Sequence, residues 1–497
     1  MIPVLTAAEM RALEREAIES GRVTSLELQE RAAAGAVALI PAEVPVELVA
    51  GPGNNGGDAL AVARLLKQRG QHVRVWALEP EPNWKGDAGL QASRWQGQGG
   101  TVNFTERPGE LAELSEAPWF VDGMFGLSVN RPLEGVAAAW AALWEARWKT
   151  CEVLALDQPS GLRPDDPGNS SGSYATRTAC FGFRKLCHGL DSAREACGAI
   201  SVIDLGLPAP DPAAPGSPAH WIVQAPELPR HDWSASKLTK GRVAIRAGRL
   251  GMSGAAVLGA LGALRAGAGL VTVLPDAEVR EEIAAQVPEA MVRAWDGRIP
   301  EGTDVLLVGP GGVDEIPEWA GPLVLDASAL RAGEGPRWMG RPSTILTPHE
   351  GEFARLFELS KLRSATDRLD RLRDVFEQGR PGTRPVLLLK GHQSLTATEF
   401  PPGLPSGSRA AWTDRRPRFL INDTGHWGLA TGGTGDFLSG LVAGLWVQGL
   451  EPDAAAWSAA WLHGKCADRL GPGPLLPRDL AEELPRLLRD LYAGRPA

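Results

Sequence analysis

Short apolar runs recur along this chain, and most of them end in glycine or aspartate. Residues 44–50 (VPVELVA) have the length and β-branched content of a buried strand, and residues 72–78 (HVRVWAL) form a second. Between them, residues 59–70 (ALAVARLLKQRG) place their apolar side chains at helical spacing. Strand, helix and strand make a βαβ unit, which predicts a parallel sheet. Residues 118–126 (PWFVDGMFG) and 151–161 (CEVLALDQPSG) repeat the theme of an apolar run, then aspartate, then glycine. In a parallel sheet such polar residues collect at the carboxyl edge, where α/β proteins hold ligands. The first 21 residues (MIPVLTAAEMRALEREAIESG) predict an amphipathic helix.

The same pattern returns in the second half. GRVAIRAG, LVTVLP, TDVLLVGPGG, GPLVLDASAL, STILTPHEGEF and RPVLLLKGHQS each predict a strand running into a loop. Residues 254–269 (GAAVLGALGALRAGAG) predict a small-residue helix able to pack closely against a sheet. Residues 429–446 (LATGGTGDFLSGLVAGLW) predict a glycine-rich turn entering an apolar helix. Both halves are therefore expected to be α/β, each a three-layer α/β/α domain. Between them, residues 206–230 are dominated by proline and alanine, and 209–229 read as a semi-rigid linker. The expected domains are 1–208 and 230–497, with neither internal repeats nor coiled-coil heptads.

Length and composition narrow the classes. A chain of 497 residues is too long for one ordinary core. A net charge of -9 argues against nucleic acid as the main partner. The apolar stretch 255–274 is interrupted by Arg265, so no membrane span is expected. Charges within the first 21 residues leave no apolar core for an export signal. The five cysteines form no C-x-x-C pair, and Cys187 beside His188 is expected to be packing rather than a metal site. The cytoplasm is the expected compartment. Lysine is scarce, with nine in the chain, which draws attention to Lys240 and Lys390 beside glycine. The 17 tryptophans find no explanation in the pattern.

Candidate chemistry sits in two places. In GPGNNGGDAL, residues 51–60, the first six residues fit the G-x-G-x-x-G dinucleotide loop, with Glu79 or Glu81 where a ribose-binding acid would stand. That pattern does not account for Asn54, Asn55 and Asp58, which turn and N-cap duties could also explain. Asp122, Asp157 and Ser160 follow strands that share an edge with this loop. An amide oxygen, a carboxylate and a hydroxyl there could converge on a hard cation. In GGTGDFLSG, residues 432–440, glycine amides at a helix start make an anion pocket, with Asp436 a candidate base beside it. No Gly-Lys-Ser/Thr follows, so the segment is not a Walker A loop. Lys390 and His349 stand just past strands on the same expected edge.

GNNGGDA, VDGMFG…RPL and LDQPSGL resemble the NAD(P)H-hydrate epimerase domain, a Rossmann-like fold, across 1–208. The resemblance implies that Asn54, Asn55, Gly56, Gly57 and Asp58 bind the hydrated nicotinamide nucleotide. Gly126, Leu127, Ser128, Val129, Asn130, Arg131 and Pro132 would lie against it, with Asp157 acting near the reacting ring. Potassium would be held by Asn55, Asp122 and Ser160. The chain reads FGLSV where the family has a turn close to FGTGL, and DQPSGL where it has DIPSGL.

TKG, GMSGAAVLGALGALRAGAGLVTV, GPGG, LTPHEGEF, LKG and ATGGTGDFLSG are similar, in order, to the ADP-dependent NAD(P)H-hydrate dehydratase domain, which has a ribokinase-like fold. This implies substrate contacts at Ala255, Gly311, His349 and Asp436, with Asp436 catalytic. ADP, accompanied by magnesium, would be held by Lys390, Gly391, His392, Gln393, Ser394 and Gly435. Thr239 replaces the histidine of the family's HKG, Ser328 departs from DADAL, and Val313 stands where glycine is common. The implied protein is a two-site repair enzyme that acts on hydrated NADH and NADPH, forming a homo-oligomer. Two alternatives stay open: an ATP-dependent small-molecule kinase of the same fold fused to a Rossmann domain, and a non-catalytic NAD(P)-binding protein.

Overall fold

A computed structural model describes residues 1–115, 117–128, 131–166, 172–214, 216–362, 365–401, 404, 406–409 and 412–496. The chain divides into two compact units, one formed mainly by Pro3–Asp211 and the other mainly by the residues from Pro212 onward, together with Met1–Ile2.

The first unit is built on seven parallel strands: β1 (Val46–Ala50), β2 (Val73–Ala77), β3 (Val102–Phe104), β4 (Trp119–Gly123), β5 (Glu152–Leu156), β6 (Arg177–Phe181) and β7 (Ala199–Ile203). Their order across the sheet is β3-β2-β1-β4-β5-β6-β7. This is the doubly wound, Rossmann-type arrangement, and the order reverses between β1 and β4. Side chains alternate between faces along each strand. Leu48, Val121 and Leu154 pack with the helices Ala7–Glu19, Ser25–Ala38 and Asn54–Gln68. Their neighbours Val49, Phe120 and Val153 join Trp140 and Trp144 of the helix Gly135–Arg147. Helices therefore cover both faces, which is the three-layer plan. Some of the tryptophans now find a place: Trp76, Trp140, Trp144 and Phe120 interlock with ring centroids 5.7–6.3 Å apart.

The second unit carries β8 (His220–Ile222), β9 (Arg242–Arg246), β10 (Leu270–Val273), β11 (Met291–Val292), β12 (Val305–Val308), β13 (Leu323–Leu325), β14 (Thr344–Leu346), β15 (Val386–Leu389), β16 (Leu395–Thr398) and β17 (Arg418–Ile421). Across the sheet they run β11-β10-β9-β12-β13-β14-β15-β16-β17-β8. From β11 to β15 all pairs are parallel, while β16 is antiparallel to both its neighbours. From β12 to β8 across the sheet, strand residues on both faces are buried, as expected of a sheet sandwiched between helices, whereas at the other edge Met291 of β11 is exposed.

Two features depart from the sequence reading. Within the expected linker, His220–Ile222 forms a strand parallel to β17, and Trp221, Ile222 and Val223 are buried. Three consecutive strand-forming residues, Trp221, Ile222 and Val223, outweigh the prolines on either side. The small-residue helix Ser253–Ala266 also packs against another helix, Thr434–Trp446, and not only against the sheet. A Cβ on Gly262 would stand 2.2 Å from the Phe437 carbonyl oxygen, and one on Gly440 would stand 2.1 Å from that of Gly259. Only glycine permits this backbone contact. The paired residues advance together, Gly262 beside Phe437 and Gly444 beside Ala263, so the two helices run parallel. Gly440→Ala is expected to force them apart and cost about 1–3 kcal/mol. A lowered urea midpoint would show this; an unchanged midpoint would mean the contact can loosen freely. Among the described residues no helix is long and apolar enough to cross a membrane.

Candidate active sites

The loop after β1 lies where the strand order reverses. Its glycines answer to crowding within the protein. A Cβ on Gly51 would stand 1.7 Å from the Met124 carbonyl oxygen, and one on Gly56 would stand 1.8 Å from that of Gly51. Gly53, the remaining glycine of the pattern, faces open space. Trp84 closes over the loop, its Nε1 donating to Gly51 O at 2.7 Å. The helix Asn54–Gln68 starts here with no side-chain cap, so its first amides are left for a ligand. Asn54 is exposed, whereas Asn55, Gly56, Gly57 and Asp58 are buried.

Asp122, at the end of β4, has no exposed surface. Its carboxylate accepts from Ser160 N (2.8 Å), Ser160 Oγ (2.6 Å), Ser173 Oγ (2.8 Å) and Met124 N (3.2 Å). Ser160 Oγ in turn accepts from Phe125 N at 2.9 Å, which ties the loop after β4 to the loop after β5. Burial raises the Asp122 pKa although these donors oppose it. Asn55 reaches the same corner: its Oδ1 would be 3.5 Å from a Cβ on Gly126, and its Nδ2 is buried without a hydrogen-bond partner. Asn55, Asp122 and Ser160 thus come from three neighbouring segments of one edge. Gly126 and Leu127 are half-buried beside them, Ser128, Arg131 and Pro132 are exposed, and Val129 and Asn130 lie outside the described residues. Gln158, the departure in DQPSGL, is buried and donates to Leu162 O at 2.7 Å, closing its own turn.

Asp157 adopts a φ of 65°, in the left-handed region unusual for aspartate. Its Oδ1 accepts from Phe181 N at 3.1 Å and pairs with the ammonium of Lys185. Lys185 has no exposed surface and also donates to Phe181 O at 2.8 Å. Burial disfavours the Lys185 ammonium, but Asp157 and the neighbouring Cys180 raise its pKa on balance. Burial, Asp157 and Glu14 together push Asp58 well above the ordinary carboxyl range. Burial, followed by Asp157, raises Glu14 too. Lys185 and Glu14 were not singled out from the sequence. The available signal was the scarcity of lysine: one of nine lies in a strand-like run, FGFRKL. Cys187 and His188 are wholly buried, with the thiol pushed well up and the imidazole well down, so both are neutral packing groups.

In the second unit, loops after adjacent parallel strands bring the polar residues together. The uncapped N-termini of the parallel helices Ser253–Ala266 and Thr434–Trp446 flank them. Two positive helix ends beside free amides form an anion pocket. Gly433, at φ 92°, turns the chain into the second helix, and Gly435 and Asp436 lie in its first turn. Ala255 and Gly311 are neighbours, since a Cβ on Gly311 would be 3.1 Å from that of Ala255. Ser328, the departure from DADAL, donates to Gly309 O and accepts from Val313 N, both at 2.9 Å, so it braces the GPGG turn.

Lys390 Nζ lies 2.6 Å from Asp326 Oδ1 and 3.9 Å from Glu352 Oε2. It would also be 3.4 Å from a Cβ on Gly435, so the ammonium reaches the glycine-rich turn. Burial and the Asp326 carboxylate push the Asp436 pKa up to about 7, with Lys390 opposing and Glu352 adding to the rise. His349 caps the helix Glu350–Leu356, its Nδ1 accepting from Gly351 N (3.0 Å) and Glu352 N (3.3 Å), while its side chain stays 58% exposed. Gly391 and His392 are exposed and Ser394 is half-buried; Gln393 is buried, with its carbonyl held by Arg368 Nη2 at 2.7 Å. Asp326 and Glu352 stand within GPLVLDASAL and LTPHEGEF but were given no role there, and Arg368 lies on a helix without any motif.

Comparison with known proteins follows the same division. The family described as NAD(P)H-hydrate dehydratase matches residues 243–486, and the family described as YjeF-related protein N-terminus matches 25–187. The bifunctional NAD(P)H-hydrate repair enzyme of Moorella thermoacetica is 32% identical, over 98% of this chain and 97% of the relative. That of Coxiella burnetii is 31% identical, over 96% and 97%. The ADP/ATP-dependent NAD(P)H-hydrate dehydratase of Bacillus subtilis, solved with ATP and magnesium, is 29% identical, covers 53% of this chain and 94% of its own, and superposes with a TM-score of 0.43. With full-length similarity in both directions, the chain belongs to the family of bifunctional NAD(P)H-hydrate repair enzymes, which join an epimerase and a dehydratase in one polypeptide.

Proposed function

We propose that the first unit interconverts the C6 epimers of hydrated NADH and NADPH, and that the second returns the S epimer to NAD(P)H at the expense of ADP. The observation that carries the reading is Asp436, set in the first turn of an uncapped helix, with a pKa near 7 and Lys390 beside it. A base at that value is half-ionised at neutral pH, where it can both accept and hold a proton. Hydroxide is a poor leaving group, so the C6 hydroxyl is first made into a phosphate ester. Asp436 takes the hydroxyl proton, the oxygen attacks the β-phosphorus of ADP, and AMP departs. The free amides of the Gly432–Gly435 turn steady the transferring oxygens. Phosphate then leaves C6 while C5 gives up a proton, which restores the ring double bond. Lys390 meets the nucleotide phosphates, with magnesium as their counter-ion. Ala255, Gly311 and His349 line the substrate side. Gly391, His392, Ser394 and Gly435 line the nucleotide side, to which the buried Gln393 contributes its backbone.

In the first unit, Asn54 to Asp58 and the segment from Gly126 to Pro132 are read as the nucleotide-binding surface, and Asp157 as the group acting at the ring. A potassium ion fits Asn55, Asp122 and Ser160 by the chemistry of their donors: an amide oxygen, a carboxylate and a hydroxyl. Burial raises the Asp122 pKa despite four hydrogen bonds, so a cation would supply the charge compensation it lacks. Bound there, the ion would fix the loops that hold the nucleotide. Five free, buried cysteines accord with a reducing cytoplasm.

Hydrated NADH containing both epimers, incubated with the protein and ADP, tests the whole reading through reduced-nicotinamide absorbance. Complete recovery is expected. Recovery of one epimer alone would leave the first unit without its assigned activity, and none would remove the dehydratase assignment. Asp122→Ala should slow the R-dependent phase by about 10- to 100-fold and leave the S-dependent phase unchanged.

A further inference from the structure

We infer that Asp326 is a positioning residue of the dehydratase site: its carboxylate sets where the Lys390 ammonium stands between bound nucleotide and Asp436, and so couples nucleotide binding to the work of Asp436. The inference rests on the reading of Asp436 as the base. Asp326 is 1% exposed, too enclosed to meet a nucleotide itself, whereas the Lys390 side chain keeps 16% of its surface open.

The backbone of Asp326 is held from two directions. Its N–H donates to Val308 O at 3.0 Å, and its carbonyl accepts from Ala329 N at 3.0 Å. The carbonyl also abuts Gly309, where a Cβ would stand 1.8 Å away. A carboxylate on so fixed a turn holds the ammonium at 2.6 Å without freedom to follow it. Glu352 is the weaker partner: it stands 3.9 Å from Nζ, and its Oε2 already accepts from His349 N at 2.8 Å.

Among the described residues, the ionisable groups around Asp436 are Asp326, Lys390 and Glu352, with the buried, neutral His463 behind the glycine-rich turn. Lys390 is thus one cation facing three carboxylates. Phosphates drawing on that ammonium leave Asp436 facing a more negative surround, which favours its taking a proton. Removing Asp326 should have two effects at once. The ammonium loses its anchor, so nucleotide binding weakens, and Asp436 loses its strongest like-charged neighbour, so it works at lower pH.

The test uses the full chain, hydrated NADH and ADP. Asp326→Asn is expected to raise KM for ADP at least about tenfold and to move the acid limb of kcat/KM to lower pH. Lys390→Met should move that limb the opposite way. Wild-type KM and limb in an Asp326→Asn protein of unchanged melting temperature would overturn the inference. Asp436→Asn keeps the two readings apart: if it retains dehydratase activity, the assignment of the base fails first. Should Asp326→Asn not fold, Asp326→Glu decides. It preserves the charge but displaces it, so a raised KM with an unshifted limb supports the inference, and a wild-type KM overturns it.

Discussion

Asp436→Asn is expected to lower dehydratase turnover by about 10²–10⁴-fold, the usual worth of a general base. The substitution is nearly isosteric and leaves the helix amides in place, so the nucleotide should still bind. What goes is the group that can accept the C6 hydroxyl proton. The pH profile of the wild-type chain checks the same claim. The Asp436 pKa is raised to about 7, chiefly by burial and then by Asp326, so the protonated, inactive form gains as pH falls through that value. Dehydratase kcat/KM should therefore drop about tenfold per pH unit well below pH 7. The epimerase phase, on the other unit, should keep its own profile. Unimpaired turnover in Asp436→Asn, or a profile flat down to the ordinary carboxyl range, would defeat the assignment.

Lys185→Met should be the most damaging single change in the first unit. Lys185 and Asp157 have side-chain exposures of 0% and 9%, so the pair is almost wholly removed from water. Taking away the ammonium leaves a buried carboxylate with the Phe181 amide as its protein donor, a situation that costs about 3–5 kcal/mol. The measurement is the urea midpoint of the first unit's transition together with the epimerase rate, and both should fall. The sign with pH follows from the lysine. Its folded-state pKa is raised above 10.5, so its contribution is complete below that value and is lost only as pH climbs through the folded value. The gap between wild type and variant should hence stay flat between about pH 6 and 9. A variant as stable and active as wild type would mean that Asp157 does not depend on its partner.

Much of this was readable before the structure. Apolar runs and glycine punctuation are local signals. They located four of the seven strands of the first unit, six strands of the second between Arg242–Arg246 and Val386–Leu389, and the helices that follow the two glycine-rich loops, while Val102–Phe104, Arg177–Phe181, Ala199–Ile203 and Met291–Val292 were not predicted. Asn55, Asp122, Ser160 and Lys390 were assigned to the sheet edge for the same reason, since a residue at the end of a parallel strand has one place to go, and Asp436 was assigned to a helix start by the glycines before it. What escaped notice had no local signature. The strand His220–Ile222 sits among prolines and depends on β17 for its hydrogen bonds. The contact of Gly262 with Phe437 spans 175 residues of chain, and nothing near either residue announces it.

The sequence by itself determined the two-part α/β plan, the loops that carry the chemistry and, through resemblance, the class of nucleotide they meet. Only the tertiary structure decided which charges share a pocket. Lys185 beside Asp157, and Asp326 with Glu352 around Lys390, are pairings across 28 to 64 residues whose energy comes from joint removal from water. Desolvation and Coulomb attraction act through space, so the proton affinity of Asp436 belongs to the folded pocket and not to any motif that contains it.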